Sequence, residues 1–232
     1  NYATGQSIQM PELSPLTYGH TDARLILRVG GSMGDVYGQR LLKRDLNGYI
    51  LNEEGVGLTM ENKETYLGSI LPKMNMGWSL GFGYKGVNLG MTFTGRFGGI
   101  VISETQSVLD AAGVSKVSAD VRDAGGVQIN QGKVSAQTYY QAIQGTAAYY
   151  TYSATNVRLG ELSLSYTLPK KWFDNKVGMT VGLVGKNLWM IYCKAPFDPE
   201  LTTSAASNFY QGFDAYMLPS TRNFGFNIKF QF

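Results

Sequence analysis

Long stretches of strict period-two alternation constrain this chain more than any other feature. The last of them, RNFGFNIKFQF, sets Phe224, Phe226, Ile228, Phe230 and Phe232 against Gly225, Asn227, Lys229 and Gln231. Four earlier stretches obey the same rule. Met76, Trp78, Leu80, Phe82 and Tyr84 alternate with Gly77, Ser79, Gly81 and Gly83. Val87, Leu89, Met91, Phe93 and Phe97 alternate with Asn88, Gly90, Thr92, Thr94 and Arg96. Leu162, Leu164, Tyr166 and Leu168 stand against Glu161, Ser163, Ser165 and Thr167, and Val177, Met179, Val181 and Leu183 against Gly178, Thr180, Gly182, Val184 and Lys186. Successive side chains of a strand point to opposite faces, so these are strands with one apolar face. They exceed the ~5–6 residues of an average globular strand and approach the ~9–11 that a tilted strand needs to cross a bilayer.

The connections alternate between short and long. Only Lys85 and Gly86 separate Tyr84 from Val87, a two-residue hairpin turn. Strand 87–97 is followed by a polar excursion to about residue 156. PKKWFDN joins strand 157–168 to strand 176–187, and a second long segment, 188–220, precedes the last strand. Outer-membrane barrels have brief periplasmic turns and long outer loops. Followed through, this topology brings the C-terminus to the periplasmic face.

Period two fits a water-soluble β-sandwich, such as a carbohydrate-binding domain, as well as a membrane barrel. Three features favour an all-β antiparallel transmembrane barrel with long extracellular loops. The polar faces are rich in Gly, Ser and Thr, whereas a solvated face carries more charge. Aromatic residues gather near strand ends, namely Trp78, Tyr84, Phe97, Tyr166, Trp172, Trp189 and Tyr192, as an interfacial girdle does. The strands are also too long and regular for a sandwich. Arg96 and Lys186 fall on the polar face, and a one-residue slip would move them to the apolar one, which pins the register.

Composition excludes several classes. Only 16% of the 232 residues are charged, and the net charge of +3 gives no basic cluster for nucleic acid. One cysteine, Cys193, and one histidine, His20, supply neither a disulfide nor a zinc site nor a convincing catalytic triad. No apolar run reaches the ~18 residues of a membrane helix. No paired carboxylates or nucleophile–base set stand out, so the expectation is no enzymatic activity and no cofactor. The chain opens NYATGQ, without Met, and reads as the interior of a longer protein.

Between the strands the pattern weakens. In 103–155 a short helix is expected at SAQTYYQAIQG, with Ser135 as its N-cap and Gly145 at its end. Near the start, RLILRV (Arg24–Val29) reads as a strand, and VYGQRLLKRDLNGYIL as a hairpin turning at Asp45–Gly48.

Six stretches carry a family resemblance: GGSMGDVYG (30–38), YLGSILPKMNMGWSLGFGYKGVNLGMTFTGRFGG (66–99), RDAGGV (122–127), VRLGELSLSYTLPKKW (157–172), GKNLWMIYCKAPFDPE (185–200) and LPSTRNFGFNIKFQF (218–232). In this order they resemble the C-terminal barrel of SusC/RagA-type TonB-dependent transporters of Bacteroidetes, over nearly the whole chain. The family usually has Arg where Gly160 stands and Lys where Cys193 stands. The resemblance implies the C-terminal section of a plugged barrel of about 22 strands. It also implies energised uptake of glycans or peptides beneath a SusD-like surface lipoprotein, with TonB engaged through parts upstream of Asn1. The remaining partners would be the rest of the same transporter, membrane lipid and the substrate.

Candidate functional residues follow. Tyr139, Tyr140, Tyr149, Tyr150 and Tyr152, in the long loop, could stack on sugar rings, grip a peptide or meet the lid; packing within the loop is the competing role. Arg96 could meet a polar substrate, or pair with a carboxylate such as Glu104 or Glu161. Asp198, Glu200 and Asp214 offer oxygen ligands to a structural Ca²⁺, though Asp-Pro is also common in turns. Phe224, Phe226, Ile228, Phe230 and the terminal Phe232 resemble the C-terminal aromatic signal for barrel insertion.

Overall fold

The computed structural model describes residues 8–9, 21–53, 57–173, 177–201 and 212–231. His20 and Phe232 lie outside the described residues. The chain begins with β1 (Ile8–Gln9), β2 (Arg24–Leu27), β3 (Asp35–Leu42), β4 (Asn52–Glu53), β5 (Gly57–Leu58) and β6 (Met60–Ser69). The long strands β7 (Met74–Tyr84) and β8 (Val87–Phe97) come next, then β9 (Ile100–Ser103). Helices α1 (Glu104–Ala111) and α2 (Lys116–Asp123) precede β10 (Val127–Ile129), β11 (Gly132–Val134) and α3 (Ala136–Ile143). The chain closes with β12 (Thr151–Ser153), β13 (Asn156–Leu168), β14 (Gly178–Cys193), β15 (Phe213–Asp214) and β16 (Asn223–Gln231).

Two compact units result. One collects Pro72–Gly98, Ala154–Pro199 and Leu218–Phe232; the other collects Asn1–Leu71, Gly99–Ser153 and Glu200–Met217. The first is a five-stranded antiparallel sheet in the order β16-β14-β13-β8-β7. It is an open sheet, and among the described residues no strand closes it into a barrel. At the turn between β7 and β8, Lys85 (φ 44) and Gly86 (φ 87) both take the left-handed conformation that a two-residue hairpin of matching twist requires. A Cβ on Gly86 would lie 2.8 Å from the Thr167 carbonyl oxygen. Gly86→Ala is therefore expected to lower stability by about 1–2 kcal/mol, read as a shifted denaturation midpoint.

Sidedness survives two interruptions of the alternation. From Leu168 back to Leu162 the apolar residues of β13 are even-numbered, but Leu159 and Val157 are odd. Gly160 is the extra residue: Glu161 pairs with Thr92 and Leu159 with Phe93, so the bulge returns Leu159 to the apolar face. In β14 a matching irregularity sits at Asn187 (φ 54), between Lys186, opposite Glu161, and Trp189, opposite Leu159. The strand continues past this point to Cys193, well beyond the end at 187 that alternation alone suggests.

The second unit is a mixture of small sheets and helices. β1, β2, β3 and β6 form one sheet, and β15, β9 and β12 another, in which β15 is parallel to β9. The Asp45 turn forms as expected, with the Asp45 carboxylate accepting from the amides of Asn47 and Tyr49 at 2.9 Å each. The hairpin forms but is short: the Asp45 amide donates to the Tyr49 carbonyl and the Leu51 amide to the Lys43 carbonyl, at 2.9 Å each, around the bridge Arg44↔Ile50. Before it, β3 pairs instead with the ten-residue β6.

The segment 103–155 is also more ordered than its weak periodicity implies. α3 has the expected cap: Ser135 Oγ accepts from the Thr138 amide, and Gly145 (φ 73) follows the helix. Two further helices were not expected. They carry the same device, Ser103 accepting from the Gln106 amide and Ser115 from the Ser118 amide. One core gathers Leu42, Ile50, Ile129, Ile143, Tyr140 and Tyr150. A second gathers Ala23, Leu25, Val36, Ile70, Ile102 and Ala147.

Candidate functional site

The five-stranded sheet aligns its apolar residues in rows that cross every strand. Phe82, Leu89, Leu164, Leu183 and Phe226 form one row; Tyr84, Val87, Tyr166, Val181 and Ile228 form the next. Leu168, Met179 and Phe230 extend the surface toward the short turns, and Trp78, Phe93, Leu159 and Trp189 extend it the other way. These side chains are not a core. Leu164 is 45% exposed and Phe226 78%. An apolar sheet face of this extent is far larger than a water-soluble monomer normally presents.

The opposite face is polar and mostly uncharged. Gly83, Asn88, Ser165, Gly182 and Asn227 align across it. Ser79 and Thr92 hydroxyls bond at 3.2 Å, as do those of Thr167 and Thr180. Lys186 Nζ stands 3.7 Å from Glu161 Oε2. Glu161, considered as a partner for Arg96, is thus engaged with Lys186. Arg96 lies on this polar face as expected, opposite Asn75 on one strand and Asn156 on the other, and is half-buried.

At the far end of β13 the same face holds a buried ion pair that pattern reasoning missed. Arg158 donates to both carboxylate oxygens of Asp198, at 2.7 and 3.0 Å, and its side chain is 10% exposed against 9% for Asp198. The amide oxygens of Asn156 and Asn187 lie at the limit of hydrogen bonding from the same guanidinium. A bidentate carboxylate suits the planar fork of Arg. The pair ties the FDPE segment back onto β13.

That engagement bears on the Ca²⁺ candidates. Asp198 serves Arg158. Asp214, in the other unit, accepts from Ser103 Oγ at 2.5 Å and is buried. Glu200 belongs to the unit of Asp214, not to that of Asp198, and is exposed. Among the described residues no group of three or more His, Cys, Asp or Glu is placed to hold a metal ion.

The five tyrosines divide. Tyr140 and Tyr150 are core residues, 6% and 3% exposed, so packing occupies the rings proposed for substrate. Tyr139, Tyr149 and Tyr152 pack against the same core while partly exposed. The Tyr149 phenol oxygen accepts from the Leu42 amide at 3.1 Å, a contact within the fold. Burial, aided by the charge of Asp110, pushes the Tyr152 phenol up to about 12 and raises those of Tyr140 and Tyr150. Of the aromatic tail, Phe224, Phe226, Ile228 and Phe230 share the exposed apolar face.

No protein-family model matches the chain, and no curated protein does. Solved structures do. A chain of the RagAB peptide transporter superposes with a TM-score of 0.53 at 21% identity, covering 80% of this chain. A chain of the RagAB peptide importer in its closed-closed state gives 0.50 at 17% identity over 81%. This chain spans 21% of the length of each. At such identity the likeness is one of fold, shared with a portion of those larger chains.

Proposed function

We propose that this chain is the C-terminal section of an outer-membrane nutrient importer of the SusC type. Its five-stranded sheet spans the bilayer as part of a larger plugged barrel, with the apolar rows on lipid and the Gly/Ser/Thr face on the lumen. The observation that carries this reading is that no side chain of the apolar rows is buried, and that Phe82, Leu164, Leu183 and Phe226 stand exposed. A β-sandwich, the alternative, would bury that face against a second sheet. Dimensions agree. From the Val157 row to the Leu168 row the strand rises about 34 Å, which at a tilt of ~40° gives a band of ~26 Å, against the ~25 Å apolar band of such barrels. The free edges of β7 and β16 require further strands, since open edges are not tolerated in hydrocarbon. The fold likeness to RagAB importer chains supports the same assignment.

In this role the remaining barrel, the plug and the TonB-engaging part come from other parts of the transporter, and a SusD-like surface lipoprotein closes over the outer side. The cargo is an oligopeptide or a glycan, taken up without chemical change. The test is the behaviour of the full-length protein. It is expected in the outer-membrane fraction, with heat-modifiable migration in detergent gels. Recovery as a soluble monomer without detergent overturns the proposal.

A further inference from the structure

Helices α1, α2 and α3 enclose a cavity of about 350 Å³ that the transport reading leaves unused. Its lining carries both signs of charge. Asp110 and the C-terminal turn of α1, where helix carbonyls concentrate partial negative charge, belong to it. So do Arg122, whose Nε also stands 3.8 Å from the exposed Asp123 carboxylate, and the first residues of α3, Ala136 and Gln137. The Ser135 cap takes the Thr138 amide, so the two amides before it remain at the positive end of the helix.

Asp110 supplies the independent observation. It is 5% exposed, and its carboxylate accepts one hydrogen bond, from Gln106 Nε2 at 2.7 Å. Among the described residues no cation pairs with it. A buried carboxylate without a countercharge is costly, and buried charges in proteins are ordinarily paired. This one stands at the wall of a cavity large enough for a small molecule.

We infer that the cavity binds a small zwitterion of amino acid or dipeptide size. Its ammonium pairs with Asp110, and its carboxylate meets Arg122 and the α3 N-terminus. The site lies within one compact unit and does not depend on the transport proposal.

The test measures binding of L-alanyl-L-alanine to the purified full-length protein by equilibrium dialysis. N-acetyl and C-amide forms of the dipeptide and the variants Asp110→Asn and Arg122→Gln complete the set. Native protein is expected to bind the free dipeptide saturably. Acetylation or Asp110→Asn should weaken binding about tenfold or more, as should amidation or Arg122→Gln, since each removes one charged hydrogen bond. Absence of saturable binding by the native protein overturns the inference, as does unchanged affinity in the variants. If Asp110→Asn fails to fold, Arg122→Gln, on an exposed side chain, decides alone.

Discussion

Leu164→Arg is expected to destabilise the full-length protein in lipid by about 2–4 kcal/mol, the cost of a cation at the mid-membrane level of a barrel's outer face. Leu164 is the middle member of the central apolar row, with Leu89 and Leu183 as its cross-strand neighbours. Because the side chain is already 45% exposed, the same change on a water-facing surface would move stability by no more than about 0.5 kcal/mol. The denaturation midpoint of protein folded into vesicles measures the difference. Asn227→Lys, one residue along the strand axis on the polar face, serves as the control and should leave the midpoint nearly unchanged. Equal, small effects of the two substitutions would remove the lipid-facing assignment of the apolar rows.

Asp198→Ala is expected to cost about 3–5 kcal/mol, because it strips a buried guanidinium of its carboxylate. The paired change Arg158→Met with Asp198→Leu should recover most of that loss, since apolar groups of similar volume avoid the desolvation penalty altogether. Chemical denaturation of the three variants reads both effects. If the single and double variants are equally impaired, the pair is not the restraint that holds FDPE to β13. The Lys186–Glu161 pair on the same face makes a useful contrast. Both its side chains are exposed, and such a pair contributes at most about 1 kcal/mol.

Strands β7, β8 and β16 were legible because period two persists through them without interruption. β8 runs from Val87 to Phe97 as the alternation indicates. Legibility failed where the geometry departs from that period. The bulges at Gly160 and Asn187 shift the parity of the pattern, so alternation ends β14 at 187, six residues before Cys193. β6, MENKETYLGS, has too little apolar content to announce a strand, and its place is set by β3. Helices α1 and α2 are short and mostly polar, but Ser103 and Ser115 were readable caps of the kind recognised at Ser135. For the site, the sidedness of Arg96 and Lys186 followed from counting residues. The Arg158–Asp198 pair did not, because its members lie forty residues apart and only the folded strand brings them together. The tyrosines illustrate a different limit. Sequence shows that five aromatic rings lie close along the chain, whereas burial decides which of them pack.

Neither compact unit is a continuous stretch of chain: each is assembled from three separate segments that alternate along the sequence. The order of synthesis therefore cannot be the order of completion. β7 and β8 can pair as soon as both exist, but β13 must find β8 across 58 intervening residues, and β16 must find β14 across a further 29. Contacts so distant in sequence close slowly and leave apolar edges exposed meanwhile. A polypeptide wired in this way gains little by folding as it emerges.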